Sequence, residues 1–192
     1  MTQKQSIGHQ SGDTIAISNT GPLISVFQSN SFAMLTDIFV EVRISAVCRA
    51  ELIRHGWADA VQAAGSKLVI VQLTTEEEQA AQSIAQQIAQ HPDTNDPVAE
   101  NHLGEAQVIV VAQRKEYQGN LLLLDELAAR AIARQHGVKL SGFPGVLLLA
   151  VQIGLISAEA LKARLETCRS QGTHYGAAFI QQVYEMAKQG RR

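Results

Sequence analysis

Leu121-Leu-Leu-Leu-Asp125 is the stretch that decides the fold, because it is a short apolar run that ends in an acid. Such a run is typical of a strand buried on both faces, as in a parallel sheet. Thr14-Ile-Ala-Ile-Ser18 has the same character and is followed by Asn19. Because ligands bind beyond the carboxyl ends of parallel strands, we expect Asn19 and Asp125 at the functional edge of one sheet.

Strand-like and helix-like segments alternate along most of the chain. Further strands are predicted at residues 40–44, 67–73 and 138–141, with amphipathic helices between them. Residues 91–101 are rich in Asp, Asn and Pro, so they are predicted to form a loop. This alternation predicts an α/β fold in which helices cover both faces of a mainly parallel sheet.

Two helix starts are marked by their residue types. Pro22 suits the first position of a helix, and Thr75 with Glu78 has the spacing of a capping box. Beyond Pro144 the pattern is helical only. The C-terminal helices of residues 157–188 carry no cluster of acids and are predicted to place Phe179, Ile180 and Val183 on one apolar stripe, so we expect them to serve packing or a dimer interface.

Length and composition predict one soluble domain. The chain has 192 residues, of which 46% are hydrophobic, so we expect a single domain over residues 14–192 after a flexible leader, residues 1–13. The net charge of −2 gives no global basic field, so any nucleic-acid contact must be local. No apolar run is long enough to span a membrane, and the two cysteines lack metal-ligand spacing. These features predict a cytoplasmic protein with reduced thiols.

Two glutamates fall on helix faces that should be apolar. Glu51 follows Ile44 by seven residues, and Glu105 precedes Val108 by three, so each lies on the buried stripe of its helix. A desolvated carboxylate is costly unless it is paired, protonated or bound to a cation. Together with Asp125, these carboxylates suggest a metal site. A metal-free protein should then show a raised pKa for Glu51 or Glu105.

Each of these residues also has a simpler interpretation. Asn19 and Asp125 could be ordinary helix caps, Glu105 in a first turn would be favoured by the helix dipole, and Glu51 could pair with Arg54. The joint pattern nevertheless favours one shared site, because a single site replaces four separate explanations. The six histidines are scattered, which disfavours zinc.

Several segments, in this order and spacing, resemble the PIN domain, and more closely its branch of prokaryotic toxin components. They are Ile17-Ser-Asn-Thr-Gly-Pro-Leu-Ile24, Ile44-Ser-Ala-Val-Cys-Arg-Ala-Glu-Leu52, Gly104-Glu-Ala-Gln-Val-Ile109, Leu122-Leu-Leu-Asp-Glu126, Gly142-Phe-Pro-Gly-Val-Leu-Leu148 and Gly154-Leu-Ile156. The resemblance covers Ile15 to Lys188. It implies a three-layer α/β/α nuclease that cleaves RNA with Mg²⁺ or Mn²⁺ held by a cluster of acids.

Position by position, the resemblance implies that the four acidic positions of the family correspond to Asn19, Glu51, Glu105 and Asp125. Glu126 is a further metal candidate. Hydrolysis of a phosphodiester requires charge on the phosphate to be neutralised and water to be activated, which hard cations on oxygen ligands achieve. The candidates for substrate binding are Thr20 and Arg130.

The chain departs from the resemblance at Asn19, where the family usually has Asp. A neutral amide oxygen can ligate a hard cation but brings no charge, so a weakened activity is expected. The resemblance implies the toxin of a toxin–antitoxin pair, with RNA as substrate, a cognate antitoxin protein as inhibitor, and a homodimer.

Two other functions compete with this prediction. One is a catalytically weakened PIN-like module that binds RNA or a protein, supported by Asn19. The other is a small phosphate- or nucleotide-binding α/β protein that uses the helix beginning at Gly21-Pro22 as an anion site. It lacks both glycine-rich phosphate-binding fingerprints and leaves Glu51 and Glu105 unexplained.

Overall fold

The computed structural model describes residues 14–190, which form a five-stranded sheet whose paired strands are all parallel. The strands are β1 (Ala16–Ser18), β2 (Val42–Ser45), β3 (Leu68–Val71), β4 (Leu121–Leu123) and β5 (Leu140–Ser141). Their order is β3-β2-β1-β4-β5, so β1 is central. The predicted leader lies outside the described residues.

Helices lie between successive strands and after β5, as the sequence pattern predicted. The α-helices are α1 (Thr20–Gln28), α2 (Phe32–Ile38), α3 (Ala46–Arg54), α4 (Ala58–Ala64), α5 (Thr75–Ala89), α6 (Leu103–Ala112), α7 (Leu127–Gln135), α8 (Phe143–Gln152), α9 (Ala158–Ser170) and α10 (Ala177–Gln189). Short 3₁₀ helices span Gly65–Lys67, Ala99–His102 and Lys115–Tyr117.

Helices on both sides of the sheet produce three layers, which confirms the predicted α/β/α fold. Helices α5, α6 and α7 pack against one another, and α1, α8, α9 and α10 form a second packed group. The sheet is wholly parallel, where the sequence predicted a mainly parallel one.

The central strands are buried, and they hold the two strand-end residues next to each other. Leu122, Leu123 and Leu124 are 0% exposed, as expected for a strand covered on both faces. The backbone N–H of Asn19 donates to the carbonyl of Leu123 at 3.0 Å. The main chain leaving β1 is therefore bonded to the end of β4, two residues before Asp125.

The first helix starts earlier than its proline suggested. Asn19 has an extended backbone, and α1 begins at Thr20, so Pro22 is the third residue of the helix rather than the first. The prediction was wrong because a proline lacking an N–H donor is tolerated anywhere in the first turn. Asn19 occupies the cap position, but its side chain makes no capping hydrogen bond.

The capping box of α5 is shifted by one residue from the predicted pair of Thr75 and Glu78. Thr74 Oγ1 accepts from the Glu77 N–H at 3.3 Å, and Glu77 Oε2 accepts from the Thr74 N–H at 2.8 Å. Arg114 also donates to both carboxylate oxygens of Glu77 at 2.7 Å. This ion pair favours Glu77, rather than Glu76 or Glu78, as the glutamate of the capping box.

The C-terminal helices pack into the core through a stripe that differs from the predicted one. Ile180, Val183 and Ala187 are 2%, 4% and 3% exposed, whereas Phe179 is 41% exposed and stacks on Tyr175. The prediction that Phe179 shares the buried stripe was wrong. Between residues 14 and 190, no helix has the length and apolar character needed to cross a membrane.

Candidate active site

A cleft of about 710 Å³ lies beyond the carboxyl ends of β1 and β4. All four residues of the predicted site line it. The complete lining is Asn19, Thr20, Gly21, Ile24, Val47, Glu51, Arg54, His55, Glu100, Asn101, Glu105, Asp125 and Glu126. The strand ends supply Asn19 and Asp125, while the glutamates come from α3 and α6.

Asn19 links two of the elements around the cleft through its side-chain amide. Its Nδ2 donates to Glu105 Oε1 at 2.8 Å, and its Oδ1 accepts from the Cys48 thiol at 3.3 Å. Burial raises the pKa of Cys48 to about 11, so the thiol keeps the proton that it donates. The side chain of Asn19 therefore organises the site and does not cap α1.

Glu51 faces the same cluster from α3. Its Oε2 accepts from the Thr20 hydroxyl at 2.5 Å, and its Oε1 lies 4.0 Å from Arg54. The Glu51 side chain is 20% exposed, whereas Arg54 is 72% exposed. Thr20 thus holds a carboxylate of the cleft, and Arg54 projects its guanidinium into solvent at the rim.

Glu105 is a mostly buried carboxyl group at the start of α6. Burial raises its pKa, and the nearby charge of Glu51 adds to this effect. The hydrogen bond from Asn19 and its own backbone oppose the shift without cancelling it. The prediction of a raised pKa is confirmed for Glu105. Desolvation is the larger cause of the shift, and repulsion by Glu51 is the smaller one.

Asp125 lies at the other end of the cleft, in the short connection between β4 and α7. Burial raises its pKa to about 6, against the opposing effects of the Phe143 backbone N–H, the charge of Arg130 and the Tyr175 hydroxyl. A Cβ added to Gly142 would lie 2.3 Å from Asp125 Oδ1. The carboxylate therefore occupies space that any residue larger than glycine at position 142 would fill.

The remaining candidates, Glu126 and Arg130, both have structural roles. Glu126, not Asp125, caps α7, because its Oε2 accepts from the Ala129 N–H at 2.5 Å. Arg130 donates to the Leu124 carbonyl at 2.5 Å and is not among the residues that line the cleft. Arg130 thus supports the loop that carries Asp125.

Sequence reasoning missed the residues that hold this site together. Cys48, Gly142 and Tyr175 each contact or crowd one of the candidate ligands. Gly142 was quoted above as part of a family-like segment, which was a signal of its importance. Tyr175 gave no signal, because it belongs to the helical extension predicted to serve packing or an interface.

The oxygen atoms of the candidate ligands suit a hard divalent cation, although their present positions do not form a complete coordination site. Within residues 14–190, no group of three His, Cys, Asp or Glu side chains has the geometry to hold a metal ion. The side chains of Asn19, Glu51, Glu105 and Asp125 nevertheless offer oxygen donors, as Mg²⁺ and Mn²⁺ prefer. A Cβ atom added to Gly104 would lie 3.2 Å from both Asn19 Oδ1 and Glu51 Oε2, so glycine at this position keeps the space beside these two oxygens free of a side chain.

The strand order and the acidic cleft at the strand ends are those of an open parallel α/β domain whose site lies at the carboxyl edge of the sheet. The chain belongs to the PIN-domain family, since the family model DUF3368, a PIN domain, matches residues 15–189. Neither the curated proteins nor the solved structures give a significant match. PIN domains are generally nucleases that act on RNA and typically use divalent metals, so the family indicates a nuclease-type function.

The raised pKa of Asp125 predicts a pH-dependent stability in the absence of divalent cations. The folded-state pKa of this carboxyl group lies above its ordinary value of 3.8, so its ionisation destabilises the fold. The destabilisation is fully present above about pH 6 and is absent below about pH 4. We therefore expect Asp125→Asn to be more stable than the wild type by about 1–3 kcal/mol at pH 8.

The measurement is urea denaturation in EDTA at pH 4 and pH 8. At pH 4 most of the advantage of Asp125→Asn should be lost, since the carboxyl group of the folded wild type is then protonated. Asp37→Asn, at an exposed position, controls for the loss of one negative charge. Equal stability of Asp125→Asn and wild type at both pH values would contradict the prediction.

Proposed function

We propose that the protein is a divalent-metal-dependent endoribonuclease. The observation that carries the proposal is the meeting of Asn19, Glu51, Glu105 and Asp125 in one cleft at the carboxyl edge of the sheet. The charge of Glu51 disfavours ionisation of Glu105, and burial disfavours ionisation of both Glu105 and Asp125, so a divalent cation is the natural means of keeping these groups ionised.

Within this proposal, Glu51, Glu105 and Asp125 supply the charged oxygens that hold Mg²⁺ or Mn²⁺. Asn19 adds a neutral ligand, and Glu126 is a further candidate at the Asp125 end. The cation supplies Lewis acidity that neutralises the scissile phosphate and favours deprotonation of water. The chain's own residues contribute orientation: Thr20 holds Glu51, and Asn19 holds Glu105.

The substrate is proposed to be RNA. A negatively charged backbone needs cationic partners near the acids, and phosphate contacts of this kind position the strand. Arg54 at the rim of the cleft is exposed and free to reach a phosphate on its solvent side. Thr20 and Arg130 were the sequence-based candidates; both are engaged with protein groups, so their proposed role is indirect support.

The biological role proposed is that of a cytoplasmic toxin, inhibited by a cognate antitoxin protein and acting as a homodimer. A balanced net charge of −2 is compatible with such a partner but does not select it. Expression in bacteria with and without the product of the neighbouring reading frame tests this role. Growth arrest that the neighbour relieves would support it, and unaffected growth would contradict it.

A non-cleaving RNA- or protein-binding module is the second candidate, and one observation favours it. The Asn19 amide presents its nitrogen, not its oxygen, to Glu105. A hydrogen bond of this kind stabilises a buried carboxylate without any cation. The hydrogen-bonding capacity of the Glu105 carboxylate is therefore already partly satisfied in the metal-free protein.

The experiment that separates the two candidates is a cleavage assay on structured RNAs with Mn²⁺, Mg²⁺ or EDTA. A nuclease should cleave with a divalent cation and stop in EDTA. Binding without cleavage under all three conditions would favour the binding module. Thermal melting with millimolar Mn²⁺ adds an independent readout, since a ligand specific for the folded state raises the melting temperature.

Asn19→Asp should strengthen Mn²⁺ binding by roughly tenfold, because it adds a negative charge to the ligand set. In EDTA the same change should lower the melting temperature, since it removes the hydrogen bond to Glu105 and places two carboxylates side by side. Isothermal titration and thermal melting measure the two effects.

Asn101→Asp is the matched control, because Asn101 also lines the cleft but its amide donates to Asp96 instead of to Glu105. If both variants bind Mn²⁺ as the wild type does, Asn19 is no ligand and the site is reduced to three carboxylates.

A further inference from the structure

The connection between α9 and α10 is fastened to α1 beside the cleft. Gln28, the last residue of α1, exchanges two hydrogen bonds with Gln171 at 3.2 and 3.1 Å. Its Oε1 also accepts from the Thr173 hydroxyl at 2.6 Å. These bonds bring the following residue pair, His174 and Tyr175, towards the start of α7.

Both the ring and the hydroxyl group of Tyr175 are held by neighbouring side chains. Its ring stacks on Phe179 at a centroid distance of 5.9 Å, and its hydroxyl lies 3.2 Å from Ser25 Oγ. Ser25 is in turn held at its carbonyl, which accepts from the Cys168 thiol at 3.2 Å. The hydroxyl of Tyr175 therefore has a defined position within the α1–α9 contact.

That position is next to Asp125. The two residues line a cavity of about 410 Å³ that shares Gly21, Ile24 and Glu126 with the acidic cleft. Within this shared cavity, the Tyr175 hydroxyl lies close enough to Asp125 to favour the charged form of the carboxyl group, which opposes the effect of burial on its pKa. If Tyr175 donates to Asp125, the Ser25 hydroxyl can donate to Tyr175, which satisfies all three groups.

Asp125 needs such a partner because of where it lies in the chain. It follows a strand in an irregular connection, and Glu126 takes the capping position that would have fixed an aspartate there. The residues around a metal ligand usually orient it through hydrogen bonds, and their loss weakens metal binding.

We propose that Tyr175 is a positioning residue, whose hydroxyl, oriented by Ser25, holds the carboxylate of Asp125 for its task in the cleft. The C-terminal helical extension is thereby part of the active site as well as of the core. The task assigned to Asp125 rests on the proposed nuclease function, whereas the contact itself does not.

The test is Tyr175→Phe, which removes the hydroxyl and keeps the ring on Phe179. Tyr184→Phe is the matched control, because it removes a hydroxyl from α10 that contacts Glu159 instead of Asp125. Isothermal titration with Mn²⁺, initial rates of RNA cleavage and the ¹³C resonance of the Asp125 carboxyl carbon in metal-free protein are the three readouts.

We expect Tyr175→Phe to shift the Asp125 resonance, to weaken Mn²⁺ binding by about tenfold and to lower kcat with little change in KM. Tyr184→Phe should leave all three unchanged. If Tyr175→Phe folds poorly, Ser25→Ala tests the same chain of hydrogen bonds and should shift the resonance in the same direction by less.

An unshifted resonance in Tyr175→Phe, with Mn²⁺ affinity like that of the wild type, would overturn the positioning role. A wild type that neither binds Mn²⁺ nor cleaves RNA would instead refute the proposed function. In that case the resonance still decides whether Tyr175 holds Asp125.

Discussion

Replacing Glu105 by Gln should reduce Mn²⁺-dependent RNA cleavage by at least about 100-fold, because under the proposed function it removes one of the charged ligands of the cation. The fold should survive the change. Gln has nearly the same shape, its Oε1 can still accept from Asn19 Nδ2, and a neutral side chain carries no desolvation penalty for charge. Loss of activity with retained stability would therefore identify a functional role.

Glu100→Gln is the matched control for this experiment. Glu100 lines the same cleft, but its side chain is exposed on the 3₁₀ helix Ala99–His102 and takes no part in the Asn19–Glu105 hydrogen bond. Initial cleavage rates at saturating Mn²⁺ and urea denaturation should be measured for both variants. Activity within threefold of the wild type in Glu105→Gln would exclude Glu105 as a ligand.

Gly142→Ala is the second change with a large expected effect. Gly142 has an extended backbone that any residue can adopt, so the obstacle is steric: the new Cβ would lie 2.3 Å from Asp125 Oδ1. The carboxylate must move away from its position beside the Phe143 N–H. We expect a loss of cleavage of roughly 100-fold and a loss of stability of about 1–3 kcal/mol.

The chain offers a control at Gly176, which also precedes a helix with an extended backbone but has open space where a Cβ would go. Gly176→Ala should be nearly neutral in both assays. Crystallography of Gly142→Ala, or the ¹³C resonance of the Asp125 carboxyl carbon, would show the displacement directly. An unmoved Asp125 in a fully active Gly142→Ala variant would contradict the steric argument.

The sequence by itself determined the layers of the fold and the location of the candidate site. The run of leucines before Asp125 and the apolar segment before Asn19 required strands buried on both faces, and the carboxyl ends of parallel strands share one edge. Glu51 and Glu105 could be assigned to the same region, because helical periodicity placed both on buried faces. These inferences needed only the local repeat of each element.

The tertiary structure alone decided how the side chains are used. The Asn19 amide could have capped α1, yet it bonds Glu105 and Cys48. Tyr175 reaches Asp125 only because the C-terminal helices fold back onto α1. Periodicity and local propensity report on neighbours in sequence, whereas a hydrogen bond depends on which distant segment packs nearby, and that is determined by the whole core.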